Sequence, residues 1–364
     1  MSSVAPLVRW HTVFPTLALI GLILGWGTKP PALALAALAV LLGGSVLAAV
    51  HHAEVIAARV GEPFGSLVLA VAVTVIEVGL IIMLMLSSAA TTSSLARDTV
   101  FAAVMITLNG IVGLSLVVGG FKFGAPRLNE SGSATGLATT ATIAVLALVV
   151  PSFTTSEPGP VFSGVQLAFA AVASLLLWGL YVFTQTVRHR DFFLPVDDDG
   201  RPISENVHAE TPTLKAALTS LGFLLGALVA VVGLAKILSP AIEGGVAGAG
   251  LPASFVGVVI ALLVLLPETL AAARNAARNR LQISLNLAYG SALASIGLTI
   301  PVLALATLWL PVRLELGLGP VHLVLLALSV VVSTLTLFTG RATRMEGAVH
   351  LAILAAYVFL SAVP

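Results

Sequence analysis

An all-α polytopic membrane protein is what this sequence predicts, and three observations carry the prediction. Apolar residues make up 58% of the 364-residue chain and charged residues 9%, with a mean hydropathy of +1.09, far from the balance of water-soluble domains. The apolar residues gather into runs of about the 20 residues that a bilayer span needs. The basic residues fall mostly into every second loop, as cytoplasmic loops require.

Apolar runs broken by charge, proline or glycine clusters predict about eleven transmembrane helices. They lie near 13–28, 32–50, 65–88, 99–120, 136–156, 161–187, 213–238, 252–273, 283–310, 317–339 and 346–363. The first follows Arg9 and reads as a retained span, because no small-residue cleavage site precedes Lys29-Pro30-Pro31. With this count one side of the membrane receives Arg9, Arg59, Lys122, Arg127, Arg188, Arg190, Arg201, Lys215, Arg274, Arg278, Arg280, Arg341 and Arg344. The other side receives only Lys29, Arg97, Lys236 and Arg313. A missed or extra helix in the middle would scramble that split. The N-terminus is therefore expected in the cytoplasm and the C-terminus outside.

The longest polar stretch, Arg188 to Thr213, divides the chain on the cytoplasmic side. Residues 1–30 then hold one extra, peripheral N-terminal helix, 31–187 a first repeat, 188–213 an acidic linker, and 214–364 a second repeat. Five helices per half is an odd number, so two homologous halves must lie in opposite orientations. That is the inverted repeat common among secondary transporters. Asp197-Asp198-Asp199 in the linker reads as a solvated loop.

The sequence contains the repeated element that this symmetry demands. "GSLVLAVAVTVIEVGL" runs from Gly65, with Glu77 inside it, and "GVVIALLVLLPETLAAA" runs from Gly257 to Ala273, with Glu268 inside it. Each acid follows the opening glycine of the second helix in its half by nearly the same distance. Of the 16 acidic residues, these two stand well inside an apolar run. A charged side chain at mid-span costs about 2.5–3.5 kcal/mol on the insertion scale, and such groups usually mark ion or proton pathways.

The neighbours of the two acids are oxygen-bearing. Thr74 lies three residues before Glu77, on the same helical face, and Gly79 admits a close neighbour. Pro267 lacks the amide hydrogen that the Leu263 carbonyl would accept, which leaves a backbone oxygen for a cation. The helix after each acid carries small polar residues: Thr107 and Asn109 in the first half, and Asn286, Ser291 and Ser295 in the second. These either offer oxygens to a cation or serve close helix packing. Two carboxylates with neutral oxygens, no sulfur and no central histidine describe a site for a hard cation such as Ca²⁺ or Na⁺. Protons compete for the same oxygens.

With these residues in view, the chain resembles the Ca²⁺:cation antiporter superfamily, and within it the bacterial ChaA-type calcium/proton antiporters. The matching pieces are "GEPFGSL" (Gly61 to Leu67) leading into "VTVIEV" (Val73 to Val78), "LLPETL" (Leu265 to Leu270), "GSALASIGLTIPV" (Gly290 to Val302) and "FTGR" (Phe338 to Arg341). In the wider family the acidic helices often read Gly-Asn-Ala-x-Glu. Here both copies lack the Gly and Asn, so only the glutamate roles carry over. The resemblance implies that Glu77 and Glu268 bind cation and proton in turn, that Ca²⁺ (with Na⁺ and K⁺ as further candidates) and H⁺ are the transported species, and that the protein lies in the bacterial inner membrane. It further implies ten core helices plus one, with a gating helix pair that slides against the rest.

Other classes find no support. No cysteine is present, which excludes disulfides and thiolate metal sites. No basic run interleaved with aromatics supports nucleic-acid binding. The absence of a phosphate-binding glycine loop, of HExxH and of GxSxG argues against a primary pump or an intramembrane hydrolase, so no enzymatic activity and no bound cofactor are expected. A cation channel, with the two acids as its constriction, is the alternative to an antiporter.

Overall fold

A computed structural model describes residues 9–61, 64–87, 92–196, 211–309, 313–341 and 343–364. In chain order the helices are α1 (Trp10–Gly25), α2 (Ala32–Val60), α3 (Phe64–Ser87), α4 (Leu95–Met105), α5 (Val112–Phe123), α6 (Glu130–Ala144) and α7 (Gly164–Phe183). They continue with α8 (Leu214–Gly248), α9 (Phe255–Val264), α10 (Leu266–Ala276), α11 (Leu281–Ala306), α12 (Pro320–Phe338) and α13 (Arg344–Ala362). A wide π-helical turn, Ile106–Ile111, joins α4 to α5 without a break, and two others extend α6 (Val145–Val149) and α7 (Thr184–Arg188). Two-residue strands β1 (Thr92–Ser93) and β2 (Arg313–Leu314) pair in parallel. Glu62, Pro63 and the Asp197 to Asp199 triplet lie outside the described residues.

Each predicted span has a helical counterpart. Among the described residues nine helices are long and apolar enough to cross a bilayer, and α9 with α10 makes a tenth span bent by 53°. The eleventh, α1, has 16 residues. At 1.5 Å per residue it is about 24 Å long, short of a hydrocarbon core of about 30 Å. Several helices outrun the apolar stretch that predicted them. α2 runs on through His51, His52 and Glu54 to Val60, and α8 runs to Gly248 through Pro240. α6 starts early because the Asn129 side chain caps it, accepting the Gly132 amide.

The chain folds into two compact units, and each draws on both halves of the sequence. One comprises Met1–Ala89 and Ala209–Ala249, the other Ala90–His208 and Gly250–Pro364. In the first unit α2 packs on α1, α3 and α8. Leu42, Val46, Ala49 and Ala53 form a buried stripe on α2, and Ala227, Val231, Leu234 and Leu238 a buried stripe on α8. Steps of three and four residues place each set on one helix face. In the second unit α7 packs on α11 and α5 on α13. The third-position helix of each half thus meets the fifth-position helix of the other, as two copies related by inversion would.

The two glycines that open the acidic helices are both points of close backbone approach. A Cβ at Gly65 would lie 2.6 Å from the Ala57 carbonyl oxygen of α2, and one at Gly257 would lie 2.8 Å from the Asp98 carbonyl carbon of α4. Neither neighbour is a side-chain tip that can turn aside. Gly257→Ala is therefore expected to destabilise the protein by about 1–3 kcal/mol, whereas Gly179→Ala on α7, where nothing lies within 4 Å, should be neutral or stabilising. Thermal unfolding of both variants in detergent checks the contrast.

Candidate functional site

In the first unit the α3 sequence makes a continuous helix, and Glu77 falls near its middle with 3% of its surface exposed. Ile76, Val78, Leu80 and Ile81 around it are buried as well. Thr74, also buried, donates its hydroxyl hydrogen to the Ala70 carbonyl at 2.8 Å. That bond satisfies the donor within the helix and leaves the hydroxyl oxygen's lone pairs as acceptors. Gly79 admits α8 as expected: a Cβ there would run into Val232 at 2.5 Å.

In the second unit the counterpart helix is broken. α9 ends at Val264, Leu265 turns out of helical geometry, and α10 restarts with Pro267 at its second position. A proline ring clashes with the carbonyl four residues back and has no N–H to give it, so an unbroken helix through Leu263 and Pro267 is disfavoured. The restart is closed by Thr269, whose amide and hydroxyl both donate to the Leu265 carbonyl, at 2.9 and 2.7 Å. Glu268 occupies the first turn of α10 and is 5% exposed. The C-terminal end of α9 presents carbonyl oxygens and the N-terminal end of α10 presents amides, so the break sets partial charges of both signs beside the acid.

The π-helical turn Ile106–Ile111 packs on α10, which carries Glu268, and on α11, which carries Ser291 and Ser295. Thr107 and Asn109 on this turn are fully buried. The Thr107 hydroxyl bonds back to the Ala103 and Val104 carbonyls at 2.8 and 2.9 Å. Ser295 is buried and Ser291 half-buried. Asn286 lies elsewhere in this unit: its amide donates to the Phe193 carbonyl at 2.6 Å, and its carbonyl oxygen accepts from Gln282 at 2.8 Å. The predicted residues therefore divide, with Thr74 and Glu77 in the first unit and Glu268, Asn109, Asn286, Ser291 and Ser295 in the second.

Asn109 is engaged in a network that hydropathy does not reveal. Its Nδ2 donates to Ser329 Oγ on α12 at 2.9 Å, and its Oδ1 meets His350 Nδ1 on α13 at 3.4 Å. His350 Nε2 in turn meets Thr336 Oγ1 at 3.1 Å. Ser329 gives its own hydrogen to the Leu325 carbonyl at 2.8 Å, so its oxygen is the acceptor for Asn109. That choice sets the rest of the chain. Asn109 turns its oxygen to His350, His350 carries its hydrogen on Nδ1, and Thr336 donates to Nε2. Three helices are tied together with every polar atom in the series matched.

Sequence reading missed the buried His350 and Asp98, and His52 on α2 as well. His350 is fully buried, although it stands only six residues into α13. Asp98, in the first turn of α4, is 6% exposed and held by Arg97 at 2.8 Å and by the Ser94 hydroxyl at 2.8 Å. Both sit near helix starts, where position along the chain implies solvent. The adjacent Arg97 was the one available sign that Asp98 is paired. Asn109→Ala would strand the Ser329 oxygen, at a cost of about 1–3 kcal/mol, while His350 keeps its bond to the Leu108 backbone. The expected drop in unfolding temperature should be larger than for Thr336→Val, which removes one donor at the network's end.

Buried carboxylates on counterpart helices of a two-fold repeated, bilayer-spanning chain define an ion-exchanging membrane transporter. The sodium/calcium exchanger protein family model matches residues 30–187 and again residues 219–363, so the chain belongs to that family. Escherichia coli ChaA, a sodium-potassium/proton antiporter, is 35% identical over 95% of this chain and 94% of its own length. The ionic transporter relative y4hA of Sinorhizobium fredii is 47% identical over 89% of this chain and 87% of its own. Among solved structures, native YfkE superposes with a TM-score of 0.71 at 20% identity, covering 98% of this chain and 99% of that one. The H⁺/Ca²⁺ exchanger CAX follows at 0.65 and 15%, covering 96% and 91%. The resemblance to ChaA-type antiporters holds over 95% of the chain, and the protein is an antiporter of this family rather than an enzyme.

Proposed function

We propose that this antiporter expels cytoplasmic Ca²⁺, with Na⁺ and K⁺ as further candidate cargo, in exchange for protons, and that Glu77 and Glu268 bind cation and proton in turn. The observation that carries the reading is the pairing itself. Both glutamates are at least 95% buried, they occupy corresponding helices of the two halves, and each half matches the same exchanger family on its own. Relatives support the ion classes: one is named a sodium-potassium/proton antiporter and another, from Aphanothece halophytica, a Ca²⁺/H⁺ antiporter.

The chemistry follows from competition. An ionised carboxylate is a hard-cation ligand, and a protonated one is not. A site that must hold either the metal or protons before it turns to the other side couples the two fluxes without any further energy source. Thr74, Ser291 and Ser295 are the proposed neutral oxygens, acting with backbone carbonyls at the Pro267 break, whereas the oxygens of Asn109 and Asn286 are already engaged by His350 and Gln282. The inner membrane is the proposed location, with the N-terminus in the cytoplasm and alternating access as the mode of transport.

Glu77→Gln and Glu268→Gln are each expected to reduce pH-driven Ca²⁺ uptake into proteoliposomes to the level of empty vesicles. Glutamine keeps the shape of a protonated glutamate but cannot ionise, so unfolding temperatures should stay close to that of the parent. Retained exchange in both variants would refute the assignment. In the parent, apparent Ca²⁺ affinity should rise by up to about tenfold per pH unit for each proton that must leave, then level off once the carboxylates are ionised. A channel would instead pass Ca²⁺ under an imposed voltage with no pH gradient, a result that excludes coupled exchange.

A further inference from the structure

A polar pocket of about 460 Å³ opens in the second unit where the chain enters α6 and leaves α12, with Arg127 and Arg341 among its walls. The two arginines stand opposite each other on paired antiparallel backbone, pinned by the Leu128 amide to the Gly340 carbonyl at 3.0 Å. Among the described residues neither guanidinium belongs to an ion pair, and Arg127 Nε is buried without a hydrogen-bond acceptor. Glu130 shares the pocket and packs beside Gly340. Two arginines and one glutamate leave a single net positive charge.

The pocket does not end in solvent alone. An apolar groove of about 360 Å³ starts at the same Glu130 and runs between α6 and α12. Its α6 wall is the small-residue stripe Ala134, Ala138 and Ala141, and its α12 wall includes Val330, Leu337 and Phe338. The stripe covers seven residue steps, about 10 Å of helix. Phe338 is 82% exposed, on a helix that crosses the bilayer.

We propose that the pocket and the groove together bind one anionic phospholipid, its phosphodiester between Arg127 and Arg341 and an acyl chain along α6 and α12. Charge and shape point to the same occupant. A phosphodiester with one negative charge matches the pocket's net charge, and guanidinium groups pair with phosphate through forked hydrogen bonds. The groove is apolar where a chain would lie and faces the hydrocarbon region. Both arginines fall on the side that the basic-residue count assigns to the cytoplasm, and basic pockets between helices on that side are recognised sites for anionic headgroups. A free phosphate would satisfy the arginines and leave the groove unused. The proposal rests on the chain's place in the bilayer and not on the transport reading.

Native mass spectrometry of the full-length, delipidated protein tests it, with phosphatidylglycerol, phosphatidylcholine or inorganic phosphate added in turn. One phosphatidylglycerol per chain should bind in preference to phosphatidylcholine. Arg127→Gln with Arg341→Gln should weaken its binding by about tenfold or more, and Ala138→Trp, which fills the groove, should weaken it while leaving any phosphate binding intact. The preference of the unmodified protein for one lipid over the other needs no variant to fold. Equal binding of both lipids, or undiminished phosphatidylglycerol in the double variant, would overturn the proposal. So would a site that takes inorganic phosphate and ignores Ala138→Trp. Glu77→Gln should leave lipid binding unchanged, so loss of transport and loss of lipid read out separately.

Discussion

A bilayer offers no water to a carboxyl group, and much of this structure can be traced to that shortage. Glu77 and Glu268 have to reside where a leucine would be more stable, so the protein around them must supply what water otherwise would. Thr74, one turn before Glu77, has its hydroxyl hydrogen spent on its own helix, and Glu268 stands in the first turn after a break between two helices. The same rule governs the backbone. In hydrocarbon every N–H and C=O needs an internal partner, and among the described residues the spans depart from α-helix as π-helical turns, as the 3₁₀ turn Val150–Ser152 and at the break beside Glu268.

The π-helical turn between α4 and α5 shows how a local departure shapes a wider contact. One extra residue per turn rotates the side chains that follow it, and Asn109 lies on that turn. Its carboxamide meets α12 and α13 through Ser329 and His350, while the backbone of the same turn packs on α10 and α11. One buried amide therefore links helices from the end of the chain to the segment that lies against Glu268. In low dielectric such a network is costly if half made. Here the serine's bond to Leu325 fixes the direction of every other bond.

The spans, the repeat and both buried glutamates were legible in the sequence because each is a property of composition or spacing. An apolar run of 20 residues has one common explanation, and two acids at matching places in two such runs are hard to produce otherwise. Helix ends were less legible. Hydropathy marks where the apolar stretch stops, whereas α2 continues because nothing in His51 to Val60 breaks a helix firmly, and α8 continues even through Pro240, Gly244 and Gly245. The π-helical turns left no mark that periodicity detects. His350 and Asp98 stand near helix starts, where position along the chain implies solvent, and only packing in the fold buries them. The composition of the two compact units, which interleave segments of both halves, is likewise a fact of tertiary contact.

The two copies of the acidic helix solve one problem in two ways, and the difference has chemical content. α3 is continuous through Glu77, so its amides and carbonyls are spent on one another. At Glu268 proline has cut the helix, and the acid sits in the first turn of α10, among amides, just beyond the carbonyl end of α9. A helix start complements negative charge and a helix end complements positive charge, whereas mid-helix does neither. The repeats are therefore alike in topology but unequal in electrostatics. An inverted repeat with identical copies would present the same environment from both sides of the membrane. This one sets one carboxylate inside a continuous helix and the other at a helix start, an inequality that the topology alone would not provide.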